Sequence, residues 1–234
     1  MTAILKKEIK VYFSSMTGYV FIMVFLAFSG AFFTAYTLNI QSSDLTEVFY
    51  RMLGVLMYIV PLLTMKLFSE EKKLKTFVGL KTLPLSIWQI IAGKFLAAMT
   101  VMAIASAFTF SYVVVVLAAG RVAWSLVLGN YLAMMLLCSA LISIGMLVSA
   151  FTENQIIAAV VTFGIFYVSG FLGELTTTVS SPYLVAILDT LAVFNHHSVF
   201  AAGVFSVSSA VYYLSVTVLM MAFMSLALRT KRWD

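Results

Sequence analysis

Long apolar runs alternate with short polar stretches along the whole chain. A helix needs roughly 20 apolar residues to cross the hydrocarbon core of a bilayer, which is about 30 Å thick. Six runs meet this requirement and predict transmembrane spans at 18–38, 48–68, 91–118, 124–150, 155–173 and 206–228. Residues 1–16 predict an amphipathic interfacial helix, and 174–205 predict a pair of short re-entrant or interfacial helices.

The predicted fold is therefore an all-α integral membrane protein, with residues 1–234 forming a single transmembrane domain. Composition agrees, because 63% of the residues are hydrophobic and 10% are charged, against about 45–50% and about 25% in soluble domains. The only cysteine, Cys138, excludes an intramolecular disulfide. In the third span, Ala103, Ala107 and Ser111 form a small-residue stripe that predicts close approach of another helix.

Basic residues are distributed unevenly between the two sides that this topology defines. Twelve of the 14 lysines and arginines lie before the first span, around the loop after the second span, or after the last span. Loops rich in Lys and Arg stay in the cytoplasm, so the pattern predicts an inner-membrane protein with both termini cytoplasmic. The net charge of +5 is thus a topology signal. It does not indicate nucleic-acid binding, since no basic patch is interleaved with exposed aromatics.

The loop between the second and third spans is the most informative segment. Residues 70–83 combine a charged start with apolar positions, and Pro84 ends any helix there. The pattern predicts a short amphipathic helix at the cytoplasmic membrane surface. From the residues alone, either a docking element for a soluble partner or a solvated turn that orients the spans would explain it.

The segment 66–94 resembles the first cytoplasmic loop of ABC-2-type ABC transporter permeases. The matching positions are Glu70, Glu71, Lys72, Thr76, Leu80, Pro84, Leu85, Ser86, Gln89, Ile90, Ile91, Gly93 and Lys94. Lys75 and Val78 stand where the family usually has Gly and Glu. The opening residues are similar to the gliding-motility-type branch of that family, which shares the Lys6-Lys7-Glu8 start and the later Gly18-Tyr19-Val20 run.

The resemblance implies the fold of ABC-2 (type V) exporters, with 70–83 as a coupling helix that docks on an ATP-binding subunit. It implies two copies of that subunit, which would hold ATP and Mg²⁺, and a second permease copy or a related permease chain. The implied ATPase contacts are Glu70, Glu71, Lys72, Lys73, Leu74, Thr76, Phe77 and Leu80. A second cytoplasmic contact is expected at Thr152, Glu153 and Asn154, in the turn after the fourth span.

Catalytic motifs are missing from the sequence. There is no G-x-x-x-x-G-K-[ST] phosphate loop, so ATP hydrolysis is expected from another chain and none of these residues is expected to be catalytic. His196 and His197 are adjacent, and neighbours on a helix point about 100° apart, so no metal site is expected there. Together with Glu174 and Asp189 they are the candidates for the outer mouth of a substrate path.

These observations lead to one preferred function and one alternative. The chain is expected to be the permease subunit of an ATP-driven exporter of a hydrophobic or amphipathic substrate, as the few polar residues in the spans indicate. The alternative is an ATP-independent membrane transporter or a membrane scaffold. It is disfavoured because the spans are expected to lack buried ion pairs and show no pair of broken helices in corresponding halves.

Overall fold

The computed structural model of the protein describes residues 2–40, 44–74, 86–119, 123–179, 181–197 and 206–230. Within these ranges all regular structure is helical. The helices are α1 (Thr2–Ser14), α2 (Thr17–Phe33), α3 (Thr46–Thr64), α4 (Lys66–Lys73), α5 (Ile87–Ala119), α6 (Trp124–Phe151), α7 (Gln155–Leu175), α8 (Pro182–Leu191) and α9 (Val207–Thr230). A π-helical turn, Thr34–Leu38, continues α2.

Six helical segments in the described part of the chain are long and apolar enough to cross a membrane. They are Thr17–Leu38, Thr46–Lys73, Ile87–Ala118, Trp124–Phe151, Gln155–Leu175 and Val207–Leu228. Each overlaps one predicted span and differs from it by only a few residues at its ends. At this level, the prediction of an all-helical, multi-pass membrane protein is confirmed.

Helix α6 lies at the centre of the bundle and packs against α3, α4, α5, α7 and α9. Its second half is lined by small buried residues, among them Ser139, Ala140, Ser143 and Gly145. Small side chains let neighbouring helices approach closely in lipid, where burial of apolar surface gives little drive for association. Gly145 is one point of close approach, where an added Cβ would meet the Thr64 hydroxyl oxygen and lie 2.9 Å from the Cβ of Thr64 on α3.

Long-range contacts place five segments at one end of the bundle, which we call the basic end. It contains α1, the start of α2, α4, the start of α5 and the turn between α6 and α7. The hydroxyl of Ser149 near the end of α6 accepts hydrogen bonds from the backbone N–H groups of Phe68 and Ser69 in α4, both 3.1 Å. Residues 174–179 and 181–197 lie at the other end, which we call the opposite end.

Helix α1 is the predicted interfacial helix, but one of its faces is buried in protein. Ile4, Glu8 and Tyr12 recur every four residues and are all buried, and α1 packs along α5. An added Cβ on Gly93 would come within 2.7 Å of Ile4. The Tyr12 hydroxyl donates a hydrogen bond of 3.0 Å to the carbonyl of Leu63. The helix is therefore fixed to the membrane-spanning bundle.

The segment before α9 contains one described short helix, α8, which has no buried residue and packs on α7. Pro182 is the first residue of α8, a position that suits the fixed φ of proline, and Ser181 precedes it. The Ser169 hydroxyl of α7 donates a hydrogen bond of 3.0 Å to the carbonyl of Leu191. It accepts one of 2.9 Å from the N–H of Val193. The predicted pair covers 174–205 as a whole; residue 180 and residues 198–205 lie outside the described residues, and the described part contains one helix of the pair.

Candidate functional site

A cleft of about 910 Å³ opens at the opposite end between α3, α7 and the residues that follow α8. Tyr50 and Met57 of α3 line one wall, and Tyr167, Gly170 and Phe171 of α7 line another. Its size is in the range of small-molecule sites, and its mixture of aromatic walls and a few polar groups is typical of them. It brings together three of the four residues predicted at the outer mouth, which are Glu174, Asp189 and His196.

The charged groups of this cleft are of both signs. Asp189 accepts a hydrogen bond of 3.1 Å from the Asn195 side-chain amide. Arg51 lines the cleft from α3. Its Nε donates a hydrogen bond of 2.7 Å to the carboxylate of Glu47, one helical turn earlier. The Arg51 guanidinium also lies 5.1 Å from the ring centre of Tyr36, within cation–π range. Sequence reasoning did not assign Arg51 to the site, although an arginine inside an apolar run is a signal for one.

The two histidines have separate environments. The His196 ring lines the cleft and stacks on Tyr212 of α9, with ring centres 3.9 Å apart. His197 is fully buried and does not line the cleft. Burial lowers the pKa of His197 to about 4, which keeps its ring neutral. Within the described residues no group of His, Cys, Asp and Glu is arranged to hold a metal ion.

A buried ionic cluster, formed by Lys7, Glu8, Glu71 and Lys94, occupies the basic end. The Lys94 ammonium is 1% exposed and lies 3.1 Å from a Glu8 carboxylate oxygen and 3.0 Å from one of Glu71. It also donates 2.7 Å to the carbonyl of Leu67. Lys7 adds a half-exposed ammonium 3.1 Å from Glu71. The cluster joins α1, α4 and α5, whose contacting residues are up to 86 positions apart.

Two groups on α1 show how the cluster affects ionisation. Burial lowers the pKa of Lys7, but the Glu71 and Glu8 carboxylates outweigh that effect and leave the pKa raised. Burial and the nearby Glu8 carboxylate both raise the pKa of Tyr12. The cluster therefore favours the charged form of Lys7 and the neutral form of Tyr12. It also corrects the expectation that the spans lack buried ion pairs, since Lys94 belongs to the helix that forms the third span.

The predicted coupling residues are only partly described. Glu70, Glu71, Lys72 and Lys73 lie in or beside the last turns of α4, and Leu74 follows as an exposed side chain. Glu71 contributes its carboxylate to the ionic cluster. Thr76, Phe77 and Leu80 lie in 75–85, outside the described residues. The chain is described again from Ser86, whose N–H donates 3.2 Å to the Gln89 side chain at the start of α5.

The predicted second contact is a tight turn at the basic end. Asn154 caps α7, since its side-chain oxygen accepts 2.9 Å from the N–H of Ile156. The Thr152 hydroxyl accepts a hydrogen bond of 3.0 Å from the N–H of Asn154. Both side chains thus have a local structural role, and the exposed Glu153 is the member of the three most available to a partner.

Comparison with known proteins found no match to the chain among protein-family models, curated proteins or solved structures.

Proposed function

We propose that the chain is the membrane-spanning permease subunit of an ATP-driven transporter of the ABC-2 type. In this proposal it lies in the cytoplasmic membrane with the basic end and both termini inside. Two copies of a separate ATP-binding subunit supply ATP hydrolysis, and a second permease copy or a related chain completes the pathway. The transported substrate is hydrophobic or amphipathic, and the direction is export.

One observation carries this proposal, the resemblance of residues 66–94 to the coupling loop of that family. The surroundings of the loop support it. Glu71, at its start, and Lys94, at its end, are ion-paired to each other at 3.0 Å, and Glu8 of α1 is paired to the same ammonium at 3.1 Å. A displacement of the loop by a soluble partner would therefore act on α1, α4 and α5 together.

In this proposal the cleft at the opposite end forms the outer part of the substrate path. Its walls offer aromatic surface, while Glu174, Asp189, His196 and Arg51 offer polar contacts at its mouth. Such a surface fits an amphipathic substrate better than a small hydrophilic ion. His197, which was predicted beside these residues, would support the cleft from behind without touching the substrate.

The buried ionic cluster is also an observation in favour of the alternative, an ATP-independent transporter. Ionisable groups buried at membrane depth often serve ion-coupled transport. Against that function, the cluster lies at one end of the bundle, whereas coupling sites of secondary transporters lie near the midplane beside broken helices. The two functions differ in their need for a partner ATPase, which can be measured directly.

The test is isolation of the affinity-tagged chain from its native membrane, with identification of co-purified proteins and measurement of ATP hydrolysis. We expect a P-loop ATPase in the wild-type complex and no hydrolysis by the chain purified alone. The double substitution Phe77→Ala with Leu80→Ala should remove two apolar anchors. Burying one such side chain contributes about 1.5–3 kcal/mol, so docking should weaken by more than about tenfold.

The matched control is Tyr183→Ala with Ile187→Ala on α8, which removes two apolar side chains, 84% and 58% exposed, at the opposite end of the bundle. This variant should retain the ATPase. If the Phe77/Leu80 variant retains wild-type complex yield and hydrolysis, the loop is a surface turn. If no P-loop ATPase accompanies the wild-type chain, the alternative function is favoured.

A further inference from the structure

A groove separate from the cleft runs between α2 and α3 at the basic end and encloses about 290 Å³. Its walls are the apolar residues Val20, Phe21 and Val24 of α2 and Ile59, Leu62 and Leu63 of α3. Val20 and Leu62 are about half exposed, at 51% and 48%, so the groove opens on the outer surface of the bundle. In a membrane, that surface faces lipid.

The groove is polar at one end only. Ser15, Thr17 and Lys66 line that end. The Lys66 ammonium donates 3.2 Å to the Thr17 hydroxyl, which is 3.1 Å from the Ser15 hydroxyl. Lys66 makes no ion pair with any carboxylate in the described part of the chain, although Glu70 follows it by one turn in α4. Among the described residues, a cation and two hydroxyls therefore meet with no carboxylate paired to the cation.

The polarity of the groove follows the membrane normal. Thr17 and Val24 are seven residues apart on α2, which corresponds to a rise of about 10 Å along the helix. The polar end lies beside α1 and α4, where the chain leaves the membrane, and the apolar end points toward the bilayer interior. A ligand that fits this surface has an anionic head and a hydrocarbon tail.

We propose that this groove is a binding site for an anionic phospholipid of the leaflet at the basic end. One acyl chain lies between α2 and α3, and the phosphate accepts hydrogen bonds from Lys66, Thr17 and Ser15. Hydrogen bonds between an ammonium and a phosphate are charge-assisted and stronger than neutral ones. A lipid with a net negative charge is preferred, because the amine of a zwitterionic head would compete with Lys66 for the phosphate.

A simpler function for Lys66 would be to extend its ammonium to the membrane surface, as lysines near helix ends do. That function needs the lysine but not the groove. The two explanations therefore differ in what happens when the groove is filled and Lys66 is kept. Val24→Trp fills the apolar end with a larger side chain and leaves Ser15, Thr17 and Lys66 unchanged.

The experiment is native mass spectrometry of the delipidated, detergent-purified chain titrated with phosphatidylglycerol or phosphatidylcholine. We expect tighter binding of phosphatidylglycerol. We expect Lys66→Gln to weaken it by about tenfold, the factor that corresponds to about 1.4 kcal/mol. Val24→Trp should weaken both lipids. Lys10→Gln is the matched control, since Lys10 is an exposed lysine on α1 at the same end, and it should leave binding unchanged.

Three results would overturn the proposal. One is wild-type phosphatidylglycerol binding by Val24→Trp, which leaves Lys66 as a surface anchor only. Another is equal loss in the Lys10 and Lys66 variants, which indicates a general charge effect. The third is full competition by inorganic phosphate, which indicates a free-anion site. Size-exclusion profiles and helical circular dichroism establish that each variant is folded. If Lys66→Gln does not fold, Val24→Trp still tests the site, because it leaves Lys66 in place.

Discussion

Lys94 shows how a charged residue can be accommodated at the end of an apolar span. Its ammonium is nearly inaccessible, and its neighbours are two carboxylates and one backbone carbonyl. The ring of Phe68 lies 5.1 Å from the same nitrogen, within cation–π range. Transferring an ion from water into the protein interior costs several kcal/mol. Attraction to a counter-ion offsets this cost only when the other hydrogen-bond donors of the ion also have partners. Here the ammonium donates hydrogen bonds to Glu8 and to the Leu67 carbonyl, and the Glu71 carboxylate lies 3.0 Å away as an ion pair.

We predict that Lys94→Met destabilises the protein by about 3–5 kcal/mol, because it removes the buried cation of the cluster and leaves the Glu8 and Glu71 carboxylates with only the half-exposed Lys7. Lys7→Met is the matched control, since that ammonium is half exposed, and it should cost less than about 1 kcal/mol. Thermal unfolding in detergent measures both. Adding Glu8→Gln to Lys94→Met should recover part of the loss. Equal effects of the Lys7 and Lys94 variants would contradict this account of the cluster.

His197 is a second buried ionisable residue, and it has a pH signature. Burial lowers its pKa from 6.5 to about 4 in the folded protein. The unfolded chain therefore binds the proton more tightly, so the stability from the neutral ring is complete above about pH 6.5 and is lost as the pH falls through about 4. We predict a loss of at most about 1.4 kcal/mol per pH unit in that window.

Unfolding midpoints measured between pH 7 and pH 4 test this prediction. His197→Leu should remove the contribution, so that its midpoint changes less with pH than that of the wild type. His196→Gln is the matched control, because it changes the adjacent ring and leaves His197 in place. Parallel pH curves for the wild type and His197→Leu would show that other groups cause the acid sensitivity.

These two residues mark a limit of prediction from sequence. Glu8 and Lys94 are 86 residues apart, and neither has a local pattern that names the other. The sequence contained a signal for Lys94, a lone charge at the start of an apolar run, but not its partners. The adjacent histidines were predicted together at the outer mouth. Neighbouring residues leave the backbone in different directions, and only His196 reaches the cleft.

At the scale of helices, the spans were predictable because their length is set by the bilayer and not by their neighbours. The packing faces were not. The stripe of Ala103, Ala107 and Ser111, predicted to receive another helix, is exposed in the chain, whereas Ala98 and Ala105 on other positions of α5 are fully buried. Small residues at four-residue spacing occur on more than one face of α5, and the sequence does not say which face meets α6.

The contact between α3 and α6 gives a prediction at this scale. An added Cβ on Gly145 would lie 2.9 Å from the Thr64 Cβ and 3.1 Å from its Cγ2, and Thr64 is fully buried. We predict that Gly145→Ala destabilises the bundle by about 1–3 kcal/mol, because the two helices must separate. Chemical or thermal unfolding in detergent provides the measurement.

Gly164→Ala is the control for this substitution. It makes the same chemical change inside α7, where an added Cβ would meet nothing within 4 Å. There the better helix propensity of alanine should stabilise by up to about 1 kcal/mol. Combining Gly145→Ala with Thr64→Ala should restore part of the lost stability. If both glycine variants behave alike, close packing at Gly145 does not matter.

At the scale of the whole molecule, the two ends of the bundle differ in chemistry. The basic end is closed by buried ion pairs and capped turns, whereas the opposite end opens into a cleft of about 910 Å³. Glu174, Asp189 and His196 could be predicted near one mouth because they follow the fifth span together. The wall from α3, including Arg51, could not, because it requires knowing that α3 packs against α7.

The sidedness of the bundle is the last prediction. In a Cys138→Ala background, we place single cysteines by Lys10→Cys on α1, Glu153→Cys in the turn before α7, and Tyr183→Cys on α8. All three positions are exposed. Four spans lie between Lys10 and Glu153, so these two positions should be on the same side of the membrane. A fifth span, Gln155–Leu175, separates Glu153 from Tyr183, which should therefore be on the other side. Because basic segments remain in the cytoplasm, a membrane-impermeant maleimide should label Tyr183→Cys in intact cells. The cysteines at positions 10 and 153 should react only after permeabilisation.

The opposite result, labelling of Lys10→Cys and Glu153→Cys but not of Tyr183→Cys in intact cells, would reverse the orientation and keep the six spans. Labelling of Lys10→Cys and Glu153→Cys from different sides would refute the six-span topology itself.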